Sequence, residues 1–228
     1  MSMKAAPLIL SALAVADLAS CQQPNKARTA VRETSADSVQ VSGDSLKTLV
    51  VVDVQRDFFD PAGALYVKGS ETLPEKIAVL AEAYDAVVFT LDWHPGNHCS
   101  FKAQGGPWPE HCVAYTQGAG LADAFAPILA KGPEHVQLFL KGKDADKEQY
   151  GAFEDPDTID QVLRDWFARS SQVDVCGIAG DYCVKESTRN LLKLVPATKV
   201  TLLGDCIRSI DDGSALKAFA AEQQLAIR

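Results

Sequence analysis

The sequence predicts an α/β fold: a doubly wound three-layer sandwich around a mainly parallel, five- to six-stranded sheet. Two observations carry this. Short apolar runs alternate with segments whose apolar residues recur at helical spacing, which is the signature of βαβ units. The chain has 228 residues and 47% hydrophobic content, enough for one sizeable core and too little for two domains. Right-handed crossovers between parallel strands then place helices on both faces of the sheet.

The elements follow in order. Lys4 gives a positive start, and Ala5 to Ala16 is apolar except for Ser11. That run is shorter than the ~20 residues a bilayer span needs, but it has the length of a signal-peptide core. Leu18-Ala19-Ser20-Cys21 follows and resembles the lipobox of bacterial lipoproteins, with Asp17 an unusual charge beside it. The expectation is a signal peptide over 1–20, with Cys21 as the lipidated residue of an exported lipoprotein, periplasmic or anchored to the outer membrane. A cytoplasmic protein is the alternative. Residues 21–46 are polar and aperiodic and read as a solvated tether. The folded domain is expected over 47–228.

Within it, strands are predicted at 47–53, 86–92, 135–141, 172–179 and 199–205, with a short sixth at 225–227. Residues 55–70 hold Pro61, Gly63 and Gly69 and read as a loop. Leu73, Ile77, Leu80, Ala81 and Tyr84 repeat at helical spacing over 72–84. Further helices are expected at 120–130, interrupted by Pro127, and at 157–169, 183–194 and 212–224. Loops at 93–118 and 142–156 separate the rest. Loops as long as the first are usually functional. No Gly-x-Gly-x-x-Gly follows the first strand, which excludes a dinucleotide site of that type. A net charge of −8 without a basic cluster excludes nucleic acid as a partner.

Four of the predicted strands run into residues with chemistry: Asp53, Asp92, Lys141 and, after a short turn, Cys183. In a parallel sheet ligands bind at the carboxyl ends of the strands, so one fold rule gathers these groups into one crevice. Cys183 lies where a strand, a glycine turn and a helix start meet, and unpaired N–H groups there favour a thiolate and can hold an oxyanion. Cys176 and Cys206 fit small buried hydrophobes. Asp53 beside Lys141 supplies a base and a counter-charge. Asp92 and His94 are two apart on an extended segment and point the same way. His111 closes a three-ligand set suited to one divalent ion, zinc first, with manganese or iron as alternatives. Cys99 and Cys112 each follow a His, and their pairing as a disulfide is left open.

Asp53-Val-Gln-Arg-Asp57-Phe58, Asp92-Trp-His94-Pro, Trp108-Pro-Glu-His111-Cys112, Lys141-Gly142 and Gly177-Ile-Ala-Gly-Asp-Tyr-Cys183-Val together resemble the nicotinamidases (pyrazinamidases) of the isochorismatase-like cysteine hydrolases. The resemblance spans about residues 47–210. It implies a catalytic triad of Asp53, Lys141 and Cys183, and metal ligands Asp92, His94 and His111. His98 matches a histidine that ligates in some members and stands behind the ligands in others. The resemblance also implies a cis peptide between Ile178 and Ala179, an oxyanion hole of the Ala179 and Cys183 N–H groups, and pocket walls at Phe58, Trp108, Tyr150 and Tyr182. The implied reaction is hydrolysis of nicotinamide, and of pyrazinamide, to the acid and ammonia through a Cys thioester. The partner is then a small carboxamide, membrane contact comes only through the lipid anchor, and monomer and homo-oligomer both stay open. Two alternatives stand beside this: another amide or ureido hydrolase of the superfamily, and a periplasmic metal-binding or thiol module.

Overall fold

The computed structural model describes residues 45–228. The signal-peptide and Cys21 expectations fall outside these residues. Six strands, β1 (Leu46–Val52), β2 (Ala86–Asp92), β3 (Val136–Lys141), β4 (Ser170–Ile178), β5 (Val200–Arg208) and β6 (Ala226–Ile227), form one sheet in the order β3-β2-β1-β4-β5-β6. Every pairing is parallel. This is the doubly wound order, and its reversal point lies between β1 and β4.

The central strands explain their own burial. All seven residues of β2 and the last five of β1 are buried. Successive side chains point to opposite faces, so continuous burial means that both faces are covered. Their Val- and Leu-rich sequences fit such a strand and carry no polar alternation. Edge strand β3 differs, with Leu138 half exposed.

The helices are α1 (Arg56–Phe59), α2 (Leu73–Ala81), α3 (Ala126–Leu129), α4 (Gln161–Arg169), α5 (Lys185–Leu191) and α6 (Ser214–Glu222). Three expectations are corrected here. The segment 55–70 is not all loop, because α1 forms one turn beside β1. Pro127 does not interrupt a helix but starts one, occupying the first turn of α3, where its missing N–H costs nothing. The helix expected from residue 183 becomes α-helical only at Lys185, and a π-helical turn, Gly180–Val184, precedes it. Among the described residues no helix is long and apolar enough to cross a membrane.

Candidate active site

The sheet register delivers the site. Val52 pairs with Thr90 and with Gly177, and Asp92 pairs with Lys141, so the carboxyl ends of β1 to β4 lie side by side. Asp53 leaves β1 with φ 49°, and its N–H continues the ladder to the Thr90 carbonyl at 3.1 Å. A non-glycine residue in the left-handed region is uncommon and draws attention to function. Its carboxylate is fully buried. Oδ1 accepts the Thr90 hydroxyl at 2.6 Å, and Oδ2 lies 2.8 Å from Lys141 Nζ.

Lys141 is also fully buried, with Nζ in contact with Asp92 Oδ1 and 3.6 Å from Cys183 Sγ. One ligand-capable atom each from Asp53, Asp92 and Cys183 falls within 4.8 Å of the others. The expected triad therefore assembles. Burial alone would push the ammonium toward neutrality, but Asp53 and Asp92 outweigh it and hold the Lys141 pKa well above the usual lysine range. Burial, with the Asp92 charge added, raises Asp53 against the pull of Lys141. Asp92 goes the other way: Lys141 and His94 overcome its burial and hold it below the usual carboxylate range.

The thiol corrects one expectation. Cys183 sits inside the π-helical turn, 6% exposed, and not at the N-terminus of an α-helix. Burial pushes its pKa well up, against the pull of Lys141. Burial thus favours the protonated thiol, and Asp53, whose Oδ2 pairs with the Lys141 ammonium at 2.8 Å, is the candidate base beside it. The peptide between Ile178 and Ala179 is cis, as the resemblance implies. The Ala179 carbonyl accepts the N–H groups of Tyr182 and Val184 at 3.1 and 3.0 Å, which curls the turn and places the Cys183 N–H between them. Gly177 crosses β1 so closely, at φ 121°, that an added Cβ would collide with the Val52 carbonyl.

The three expected metal ligands are brought together. Asp92, His94 and His111 are buried, with one ligand atom each inside a 4.8 Å cluster. The Nδ1 groups of His94 and His111 face the carbonyls of Gly142 and Pro109 at 2.9 and 2.8 Å. Donation there fixes the tautomer and leaves each Nε2 lone pair for a cation. Asp92 raises the His94 pKa against burial, so the carboxylate that draws a proton to Nε2 draws a cation as well. Burial lowers His111. The donor set fits a divalent ion. His98 stands outside it: the ring stacks on His94 at 4.1 Å, and its nitrogens face Ser100 Oγ at 2.7 Å and the Lys147 carbonyl at 3.2 Å. Cys99 and Cys112 are both free thiols, as are Cys176 and Cys206.

Several positioning groups were not foreseen. Gln55, fully buried, accepts the Asp92 N–H at 2.7 Å and donates to the Asp92 carbonyl at 2.8 Å, clamping the ligand's backbone. Asp57 accepts the Cys112 N–H at 2.7 Å and so steadies the turn that carries His111. Thr90 orients Asp53. The register argument could have found Thr90, since it faces Val52 across the pair; Gln55 and Asp57 carry no such signal in one sequence.

Asp92, His94, His111 and Cys183 line one small cavity, walled by Phe58, Trp108, Tyr150 and Tyr182 as expected. Leu65, Val67, Glu148 and Ile210 join them unforeseen. Trp108 Nε1 donates to the Tyr150 hydroxyl at 3.1 Å, and both rings lean on Tyr182 at 5.2 and 5.3 Å. Phe58, 6% exposed, serves both core and site by packing on His111 at 5.5 Å.

Comparison with known proteins agrees. The isochorismatase domain model matches residues 47–226. The nicotinamidase/pyrazinamidase of Mycobacterium tuberculosis is 37% identical over 163 residues, covering 68% of this chain and 83% of that protein. The crystal structure of PnC1 from L. infantum, in complex with nicotinate, superposes with a TM-score of 0.67 at 31% identity, covering 81% and 92% of the two chains. That of the Pyrococcus horikoshii pyrazinamidase, in complex with zinc, gives 0.63 at 31% identity, covering 80% and 98%.

Proposed function

The chain belongs to the isochorismatase domain family, and from that premise we propose that it is a nicotinamidase, hydrolysing nicotinamide to nicotinate and ammonia and accepting pyrazinamide. The observation that carries this is the convergence of Asp53, Lys141 and Cys183 with Asp92, His94 and His111 in one aromatic-walled cavity.

The chemistry follows from the groups. Asp53 takes the Cys183 proton as Sγ bonds to the carboxamide carbon, and the carbonyl electron pair moves to oxygen. The N–H groups of Ala179 and Cys183 receive that oxyanion. The pair returns, the C–N bond breaks, and the amide nitrogen leaves as ammonia with the proton from Asp53. Water then gives a proton to Asp53 and attacks the thioester carbonyl, and Cys183 departs and is reprotonated. Lys141 compensates the negative charge of Asp53 and of the thiolate in turn. Asp92, His94 and His111 would hold a divalent ion, zinc first, which when bound supplies a Lewis-acid contact for the ring nitrogen and so orients the substrate. The rings of Trp108 and Tyr150, which meet Tyr182 edge-on and tilted, form aromatic walls suited to a flat heteroaromatic ligand.

Ammonia release by the purified protein from nicotinamide, pyrazinamide and a set of ureido compounds tests the reading. Release from nicotinamide is expected; release only from ureido compounds would replace it. The N-terminal reading stays a proposal of the same kind: export, cleavage after Ser20 and lipidation of Cys21, supported by Leu18-Ala19-Ser20-Cys21. Mass spectrometry of the native protein, with Cys21→Ala as control, tests it. An uncleaved N-terminus on a cytosolic protein would refute it.

A further inference from the structure

Asp181 lies in the nucleophile's own turn, two residues before Cys183, and is 7% exposed. Its carboxylate is engaged by the segment that follows β5. Oδ1 accepts the Ile210 N–H at 2.9 Å and Oδ2 accepts the Asp211 N–H at 2.9 Å. Two charge-assisted bonds from one buried carboxylate to consecutive peptide groups fix both position and orientation of a segment. The same turn is packed against that segment elsewhere. A Cβ at Gly180 would collide with Ser209 Oγ and sit 2.9 Å from Ile207 Cγ2. The turn bearing the thiol and the loop between β5 and α6 are therefore one unit.

What that loop presents is Ile210. It is a large apolar side chain, 49% exposed, yet it lines the cavity that holds Cys183. A residue that lines a cavity and still meets solvent stands at the cavity mouth. Its backbone is tied down while its side chain is not enclosed by the core. An aliphatic group in that place would meet any part of a bound ring that projected past the aromatic walls.

We propose that Ile210 selects carboxamide substrates by their ring substituents, and that Asp181 is the positioning residue that fixes Ile210 relative to the nucleophile. This rests on the amidase reading above. It differs from that reading by concerning which aryl carboxamides react and not whether they do.

The test is kcat/KM for nicotinamide and for nicotinamides methylated at each free ring carbon in turn, in the wild type and in Ile210→Ala, Ile210→Phe and Asp181→Asn. A methyl-sized change in an apolar pocket is worth roughly tenfold or more in discrimination. Ile210→Ala should raise the ratio of at least one methylated substrate to nicotinamide by about tenfold, and Ile210→Phe should lower it. Asn can accept on one atom only, so Asp181→Asn should move the same ratio as Ile210→Ala, by a smaller factor. Should Asp181→Asn fail to fold, Asp181→Glu keeps both acceptors, adds a methylene and reads the same coupling. A merely structural role would lower every substrate's rate alike. Ratios unchanged within about twofold in the Ile210 variants, with an active wild type, overturn this proposal and leave the amidase reading standing. Unmoved ratios in the Asp181 variants alone overturn the role of Asp181. A wild type inactive on every carboxamide overturns both.

Discussion

Cys183 and Cys176 differ by seven positions and by everything that matters for reactivity. Cys183 lies 3.6 Å from the Lys141 ammonium, whereas Cys176 is enclosed in β4. Cys183→Ala should reduce nicotinamide hydrolysis to background, while a folded Cys176→Ala should keep most of it; ammonia release measures both. Asp53→Asn removes the base assigned to the buried thiol and should cost roughly 10²- to 10⁴-fold in kcat. Thr90→Val leaves Asp53 Oδ1 unpaired in the core, at about 1–3 kcal/mol, and should lower kcat with little change in KM. His111→Ala should cut metal content, read by elemental analysis, by at least about tenfold in affinity, and raise KM. His98→Ala should do less, because its nitrogens already face Ser100 and Lys147. Asp53, His98, His111 and Cys183 were legible because each stands beyond a strand end or in a dense His-rich loop, whereas Thr90, inside β2, was not. Nor was the resting state of the thiol. Helix-end electrostatics argue for a thiolate, and only the depth of burial reveals that desolvation wins.

At the scale of elements, the carboxyl ends of β1 to β4 were legible to within one residue, whereas β5 runs three residues past its expected end. β2 falls on the expected 86–92, and β3 ends at the expected Lys141. Doubly buried strands announce themselves as apolar runs bounded by polar residues. Helix starts were less legible, because a short turn such as Arg56–Phe59 has no room for a 3.6-residue period. The π-helical turn at Gly180–Val184 is set by packing against β5 and α6, which one sequence does not display. Where a cap is present its effect is calculable. Asp160 accepts the Leu163 N–H at 2.8 Å at the start of α4. Asp160→Ala should cost about 1 kcal/mol in urea denaturation, and Asp160→Asn much less. Activity should be unaffected, since α4 packs on β1 and β4 away from the cavity.

The whole molecule divides along the sheet. β1, β2 and β3 lie on one side of the reversal point, and β4, β5 and β6 on the other. A chain beginning at residue 45 should be soluble and active in the ammonia assay, because every candidate catalytic group lies at Asp53 or beyond. The same division has a meaning in time. Asp53, Asp92, His94, His111 and Lys141 are all synthesised before residue 142, and the thiol they serve arrives afterwards, in the turn that follows β4, the strand that pairs with β1. A nascent chain that has reached only β3 thus carries its base, its ammonium and its cation ligands without a nucleophile. The nucleophile is the last of these groups to join the site, and a prematurely terminated product ending before Ser170 would be inert.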